Sequence, residues 1–197
     1  YKRQLLQCLF GEARGIYFLH VTKLSICHSR REKRNKVFRK IAEKGKTSMG
    51  WFFGFKLHMI INDIGKIMAI KSTKGNVDDR TPVAELTKKL KGSIYADKGY
   101  IGADLFKALY KKGLKLITGI RKNMKNYLID LADKKLLRKR FCIETIFGFL
   151  KNSMNLEHTR HRSPINFLIN IIAALAAYSL TKGKSTKLSA STSLIHS

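Results

Sequence analysis

The chain has 197 residues, with 40 Lys and Arg against 13 Asp and Glu, for a formal net charge of +27. That length suits one compact domain, and a hydrophobic content of 44% is too high for a disordered basic tail. So large a cationic excess repels itself and points to a polyanionic partner, nucleic acid being the commonest. A ribosome-associated protein fits the same arithmetic.

Cys8, Cys27 and Cys142 are odd in number and lack CxxC spacing, which excludes a disulfide framework and a zinc knuckle and predicts free thiols. The first residues, YKRQLLQCLFGEAR, lack the sustained apolar core of a secretory signal. The most apolar stretch, Ile165 to Leu180, is shorter than the roughly 20 residues of a membrane span and is interrupted by Asn166 and Asn170. It reads as a buried core helix. Because the sequence starts at Tyr1, a fragment or processed product is expected.

In chain order, Ile16 to Val21 is an apolar run of strand length. Ser29 to Lys46 carries nine Lys/Arg and two Glu, the pattern of a solvated basic loop or helix. From Trp51 to Asn62 the residues Trp51, Phe53, Phe55, Leu57, Met59 and Ile61 alternate with others, which predicts a long strand with one buried face. A turn at Asn62-Asp63-Ile64-Gly65 and a second strand from Lys66 to Lys71 complete an antiparallel hairpin.

A helix is predicted from Pro82 to Lys91, a strand from Ser93 to Ala96 ending at Asp97, and a helix from Ala103 to Lys112 stopped by Gly113. Leu114 to Thr118 is a further strand. A basic segment from Arg121 to Lys135 leads into a long helix from Leu136 to Asn155, and Pro164 opens the last helix, ending near Leu180. An early hairpin followed by alternating α/β units predicts a mixed sheet flanked by helices.

With so few acids, each carboxylate is informative. Asp97 sits where a strand stops, the end at which open α/β sheets place ligands, although a turn or cap residue belongs there too. On a helix, Arg140, Glu144 and Lys151 fall within about 40° of one another. That row reads equally as an ordinary ion pair between Arg140 and Glu144 or as a metal-binding carboxylate between two phosphate-gripping cations.

Asp97-Lys98-Gly99-Tyr100, Arg121-Lys122-Asn123-Met124 and the Arg140, Glu144, Lys151 spacing resemble bacterial insertion-sequence transposases of the DDE type. The runs beginning at Trp51, Gly75 and Glu157 are similar to the group named after insertion sequence 982. The tyrosine that this family carries ahead of the arginine is replaced here by Leu137.

The resemblance covers roughly Gly15 to Leu180. It implies an α/β, RNase H-like mixed sheet flanked by helices. Residues 1–14 would be the remnant of an N-terminal region, 15–180 the catalytic core, and 181–197 a disordered tail. It also implies metal-dependent cleavage of transposon-end DNA and strand transfer to target DNA. Asp97 and Glu144 would be catalytic, holding Mg²⁺ or Mn²⁺ in a two-metal site that carboxylates suit. The DNA contacts would be Arg140, Lys151, Arg121, Lys122, Lys98, Arg30 and Arg31.

The first aspartate of the family is absent. Where the family reads aspartate, serine, threonine, lysine, leucine, this chain reads His20-Val21-Thr22-Lys23-Leu24. Imidazole is a poor Mg²⁺ ligand, so an impaired site and an inactive copy are expected. Asp78 and Asp79 are weak candidates to stand in, and His158 and His161 suit local packing or DNA contact better than metal binding.

The implied partner is double-stranded DNA, both transposon ends and target, with homodimerisation to bring two ends together. No membrane and no small-molecule substrate are expected, in a cytoplasmic, nucleoid-associated setting. A non-catalytic DNA-binding remnant and an RNase H-like nuclease or resolvase are the alternatives.

Overall fold

The computed structural model describes residues 10–48, 50–120, 129–158 and 161–181. The ends of the expected N-terminal remnant and tail (1–9 and 182–197), together with Arg121 and Lys122, lie outside the described residues.

Among the described residues, six strands form one sheet: β1 (Ile16–Cys27), β2 (Glu43–Thr47), β3 (Gly50–Asn62), β4 (Ile67–Lys74), β5 (Gly92–Ala96) and β6 (Leu114–Thr118). The helices are α1 (Val83–Leu86), α2 (Ala103–Tyr110), α3 (Leu131–Lys139), α4 (Phe141–Asn152) and α5 (Pro164–Leu180). The strand order is β2-β3-β1-β5-β6, with β4 also paired to β3. β1 runs antiparallel to β3, from Tyr17 opposite Asn62 to Cys27 opposite Phe53. It runs parallel to β5, which is parallel to β6.

β2 pairs with the first part of β3 and β4 with the rest, while β1 pairs with both parts. β2 and β4 therefore share the edge of β3 that faces away from β1. This is the mixed sheet the sequence predicts. Antiparallel strands lead, and parallel strands are added through helical crossovers.

Strand alternation sends side chains to two cores. Phe18, Leu24, Ile26, Leu57, Met59 and Tyr95 face α4 and α5, where they meet Ile143, Phe147, Leu150, Phe167 and Ile171. Tyr17, Leu19, Ile60, Ile94 and Ala96 face the other way, against Val83, Leu86 and Leu109 of α1 and α2. Burying each such side chain contributes roughly 1.5–3 kcal/mol. β3 thus differs from the expected strand with one buried face. His58 and Ile60 are as enclosed as Leu57 and Met59, because helices cover both sides of the sheet.

Gly54 lets β3 pass close to β1. A Cβ there would stand 2.1 Å from the Leu24 carbonyl oxygen, next to the bulge between Ser25 and Cys27. The hairpin turn is closed by Asn62, whose side-chain Oδ1 accepts the N–H of Lys66 at 2.9 Å and of Ile64 at 3.3 Å. The Tyr178 hydroxyl donates to the Gly65 carbonyl at 2.8 Å and pins α5 to that turn.

Several elements differ from their predicted extents. β1 continues to Cys27, well past Val21. β2 was not expected; it forms inside the basic stretch because β3 offers it an open edge. The helix predicted from Pro82 to Lys91 is only the single turn α1; the buried Thr87 hydroxyl donates to the Val83 carbonyl at 2.7 Å, and the chain then turns to bury Leu90.

The helix predicted from Leu136 begins instead at Leu131 and is interrupted at Arg140. α5 matches its prediction from Pro164 to Leu180, with Ser163 capping it through the N–H of Ile165, but it is not buried all round. Phe167, Ile171, Leu175 and Tyr178 face the core, and Ile165, Leu168 and Ile169 face outward. Among the described residues no helix is long and apolar enough to cross a membrane. Cys27 and Cys142 are free thiols, and burial pushes the Cys142 thiol up to about 11.

Candidate functional site

The last paired residues of β1 and β5 are Phe18 and Tyr95, both facing α4. Two residues further on, with the same side-chain direction, come His20 and Asp97. Glu144 lies on α4, which packs over this part of β1. The sheet pleat and one helix thus bring together three residues that the sequence spaces widely.

Arg140 sits at the junction of α3 and α4. Its Nη2 pairs with Glu144 Oε1 at 2.8 Å, the i, i+4 ion pair that the spacing allows. Its Nη1 lies 3.4 Å from Nδ1 of His20. A guanidinium only donates, so Nδ1 accepts and the ring is neutral, with its proton on Nε2. The His20 ring also packs against Phe147, with centroids 5.7 Å apart. Burial lowers the His20 pKa most, Arg140 lowers it further, and Glu144, Asp97 and Asp79 oppose them.

Asp97 is exposed and caps a short 3-10 turn (Lys98–Tyr100), accepting the N–H of Lys98 at 2.7 Å. Tyr100, at the end of that turn, is 2% exposed. Its hydroxyl finds no hydrogen bond among the described residues. Burial raises its pKa, and Asp79 and Asp97 add to the effect. Asp79 is held by Lys56, whose Nζ lies 2.8 Å from its Oδ1. Asp78 turns away to Arg80, whose hydrogen bonds hold its carboxyl well below the usual range.

Lys151 belongs to the same helix edge as Glu144 but engages other partners. Its ammonium donates to Glu157 Oε2 at 2.5 Å and to the Lys23 carbonyl at 2.9 Å. Glu157 Oε1 in turn accepts the Ser25 N–H at 2.8 Å. Burial works to raise the Glu157 carboxyl, but these hydrogen bonds outweigh it and hold the group below its ordinary range.

Arg30 is exposed, and Arg31 lines a groove with Lys23 and Lys151. Lys98 is exposed beside Asp97. The His158 and His161 ring centroids lie 3.6 Å apart with the rings tilted by 33°, and His161 meets Phe167 edge-on at 5.1 Å, which is local packing. Tyr100 and Glu157 are not marked as site residues by the sequence. Each lies inside one of the family-like runs, but neither the burial of Tyr100 nor the pairing of Glu157 leaves a local signal.

A family model described as "Transposase DDE domain" matches residues 10–164. The chain belongs to this DDE transposase family. A Brucella ovis protein named as a transposase for insertion sequence element IS6501 is 33% identical over 98 residues, 49% of this chain and 75% of that protein. A solved structure of the piggyBac transposase synaptic complex with hairpin DNA shares the fold, with a TM-score of 0.53 at 10% identity, covering 96% of this chain. The DDE chain described here spans about half that protein's length, 51%. A chain in a structure of the simian T-cell lymphotropic virus intasome with the PP2A regulatory subunit B56 gamma aligns at 12% identity over 88% of this chain, with a TM-score of 0.37.

DDE transposases generally use divalent metal ions. The donor set of this member does not fit a two-metal centre. The residue at the head of the site is a neutral imidazole rather than a carboxylate, and hard divalent ions need oxygen donors whose charge offsets their own. The Arg140 cation already contacts both His20 and Glu144. Among the described residues, no group of three or more His, Cys, Asp and Glu is arranged to hold an ion.

Proposed function

We propose that this chain is the core of an insertion-sequence transposase that still binds DNA but cuts and joins it poorly. The net charge of +27 supports a DNA partner, both transposon ends and target. The observation that carries the loss of activity is the Arg140 contact with His20 and Glu144.

In the proposed ancestral reaction, water cuts a phosphodiester and the freed 3′ hydroxyl then joins target DNA. Position 20 would contribute negative charge beside Asp97 and Glu144. A neutral His20 contributes none, and its one lone pair faces a cation. Asp97 and Glu144 remain the two acids of the site, and Arg140 is its phosphate-facing cation.

Cleavage and joining of transposon-end DNA, assayed with Mg²⁺ and with Mn²⁺, test this reading. The chain as it stands should give little joined product, and His20→Asp should raise the rate by about 100-fold or more, since such groups act as a unit. Equal activity of the two proteins would overturn it. Cuts without joined products from His20→Asp would favour a nuclease instead.

A further inference from the structure

Trp51 is the only tryptophan in the chain, and 58% of it is exposed on β3, near the edge that pairs with β2. An indole of that size is normally largely covered. Instead of an apolar cover it has two ammonium groups, Lys44 Nζ at 5.3 Å and Lys46 Nζ at 5.5 Å from the ring centroid. The ring borders a groove of about 660 Å³ that Arg31, Lys151 and the backbone of Lys23, whose carbonyl accepts the Lys151 ammonium, also line. Among the described residues that line it, Glu157 is the one acid and is neutralised by Lys151, while Glu32 lies 3.8 Å from Lys44 Nζ. The groove is therefore cationic, with one flat aromatic wall.

Its position ties it to the site. Lys23 is three residues beyond His20 on β1, about 10 Å along the strand. Lys151 is seven residues beyond Glu144 on α4, again about 10 Å. That distance is about three nucleotide steps of a DNA strand.

We propose that this groove takes an unpaired segment of a DNA strand leaving the His20–Glu144 site, with one base stacked on Trp51 and the flanking phosphates on Lys44, Lys46 and Arg31. The inference rests on the DNA-binding reading above. A duplex cannot offer a base face to the ring without unstacking. Single strands bind by this pairing of an aromatic platform with a basic track. Stacking also replaces the weak, water-exposed contact between lysine and indole.

Because Trp51 is the sole tryptophan, its emission reports this groove alone. Labelled oligothymidine, a blunt duplex and a duplex with a 3′ single-stranded extension should each be titrated, reading DNA anisotropy and tryptophan emission together. All three should bind. The oligothymidine and the extended duplex should quench emission by more than half, and the blunt duplex should not. Trp51→Ala should weaken oligothymidine binding about tenfold or more and leave the blunt duplex within twofold. Trp51→Phe should retain most of the affinity. Binding of every DNA without quenching, and with no effect of Trp51→Ala, would overturn the groove while leaving the DNA reading intact. Absence of binding to any DNA would overturn both.

Discussion

Arg140 Nη1 donates to His20 Nδ1 across 3.4 Å, joining two residues 120 positions apart. The same guanidinium holds Glu144 at 2.8 Å. One side-chain cation thus bridges two residues of the candidate site that sit on separate elements, β1 and α4.

This geometry fixes the state of His20. The ring should be neutral with its proton on Nε2 at pH 7, and should take up a proton at a lower pH than an unperturbed imidazole does, because burial and then Arg140 lower its pKa. Imidazole ¹⁵N chemical shifts check this. A protonated Nδ1 at pH 7 would contradict the assignment.

The Lys151–Glu157 pair predicts a stability effect separate from DNA contact. Glu157→Gln should destabilise the fold by about 1–3 kcal/mol in urea melts, the usual cost of losing charge-assisted hydrogen bonds. Lys151→Ala should cost a similar amount, and the double variant less than the sum of the two. Strict additivity would show that the pair is not coupled.

His58 predicts the acid sensitivity of the fold. It is buried on β3, with Nε2 2.9 Å from Thr73 Oγ1 and Nδ1 without a partner among the described residues. Burial lowers its pKa to about 4, from 6.5 for an unperturbed imidazole. The unfolded chain therefore binds the proton first. His58 contributes fully above pH 6.5, and its contribution of about 3 kcal/mol is lost as pH falls from 6.5 through 4. Urea midpoints of the wild type should drop over that window, and those of His58→Gln should drop much less. His20 and His161, whose pKa values are also lowered, account for a residual slope.

Two glycines should respond in opposite senses. Gly54→Ala forces a Cβ to within 2.1 Å of the Leu24 carbonyl and should cost about 3 kcal/mol or more. Gly148→Ala, in α4 with nothing within 4 Å of the new Cβ, should stabilise by about 0.5–1 kcal/mol through helix propensity. Thermal melts of both variants check the contrast.

Much of the fold was legible because its signals are local. Alternation marks β3, Pro164 marks the start of α5, and Gly113 marks the end of α2. β2 was not legible, since Glu43–Thr47 is polar and carries Gly45. It is a strand only because β3 has an edge to pair.

The candidate site divides in the same way. The Arg140–Glu144 pair follows from helical spacing. The common facing of His20 and Asp97 follows from the pleat, once Phe18 and Tyr95 are known to be neighbours. The reach of Arg140 to His20, the pairing of Lys151 with Glu157, and the enclosure of the Tyr100 hydroxyl all depend on contacts between distant segments, which no spacing in the chain encodes.

In the proposed function, His20 and Arg140 leave this DDE core without a competent metal site. Mn²⁺ titration followed by electron paramagnetic resonance, on the chain and on His20→Asp, tests it most directly and without relying on turnover. The chain should show no saturable Mn²⁺ binding, and His20→Asp should show clear, saturable binding. Equally tight Mn²⁺ binding by both proteins would contradict it.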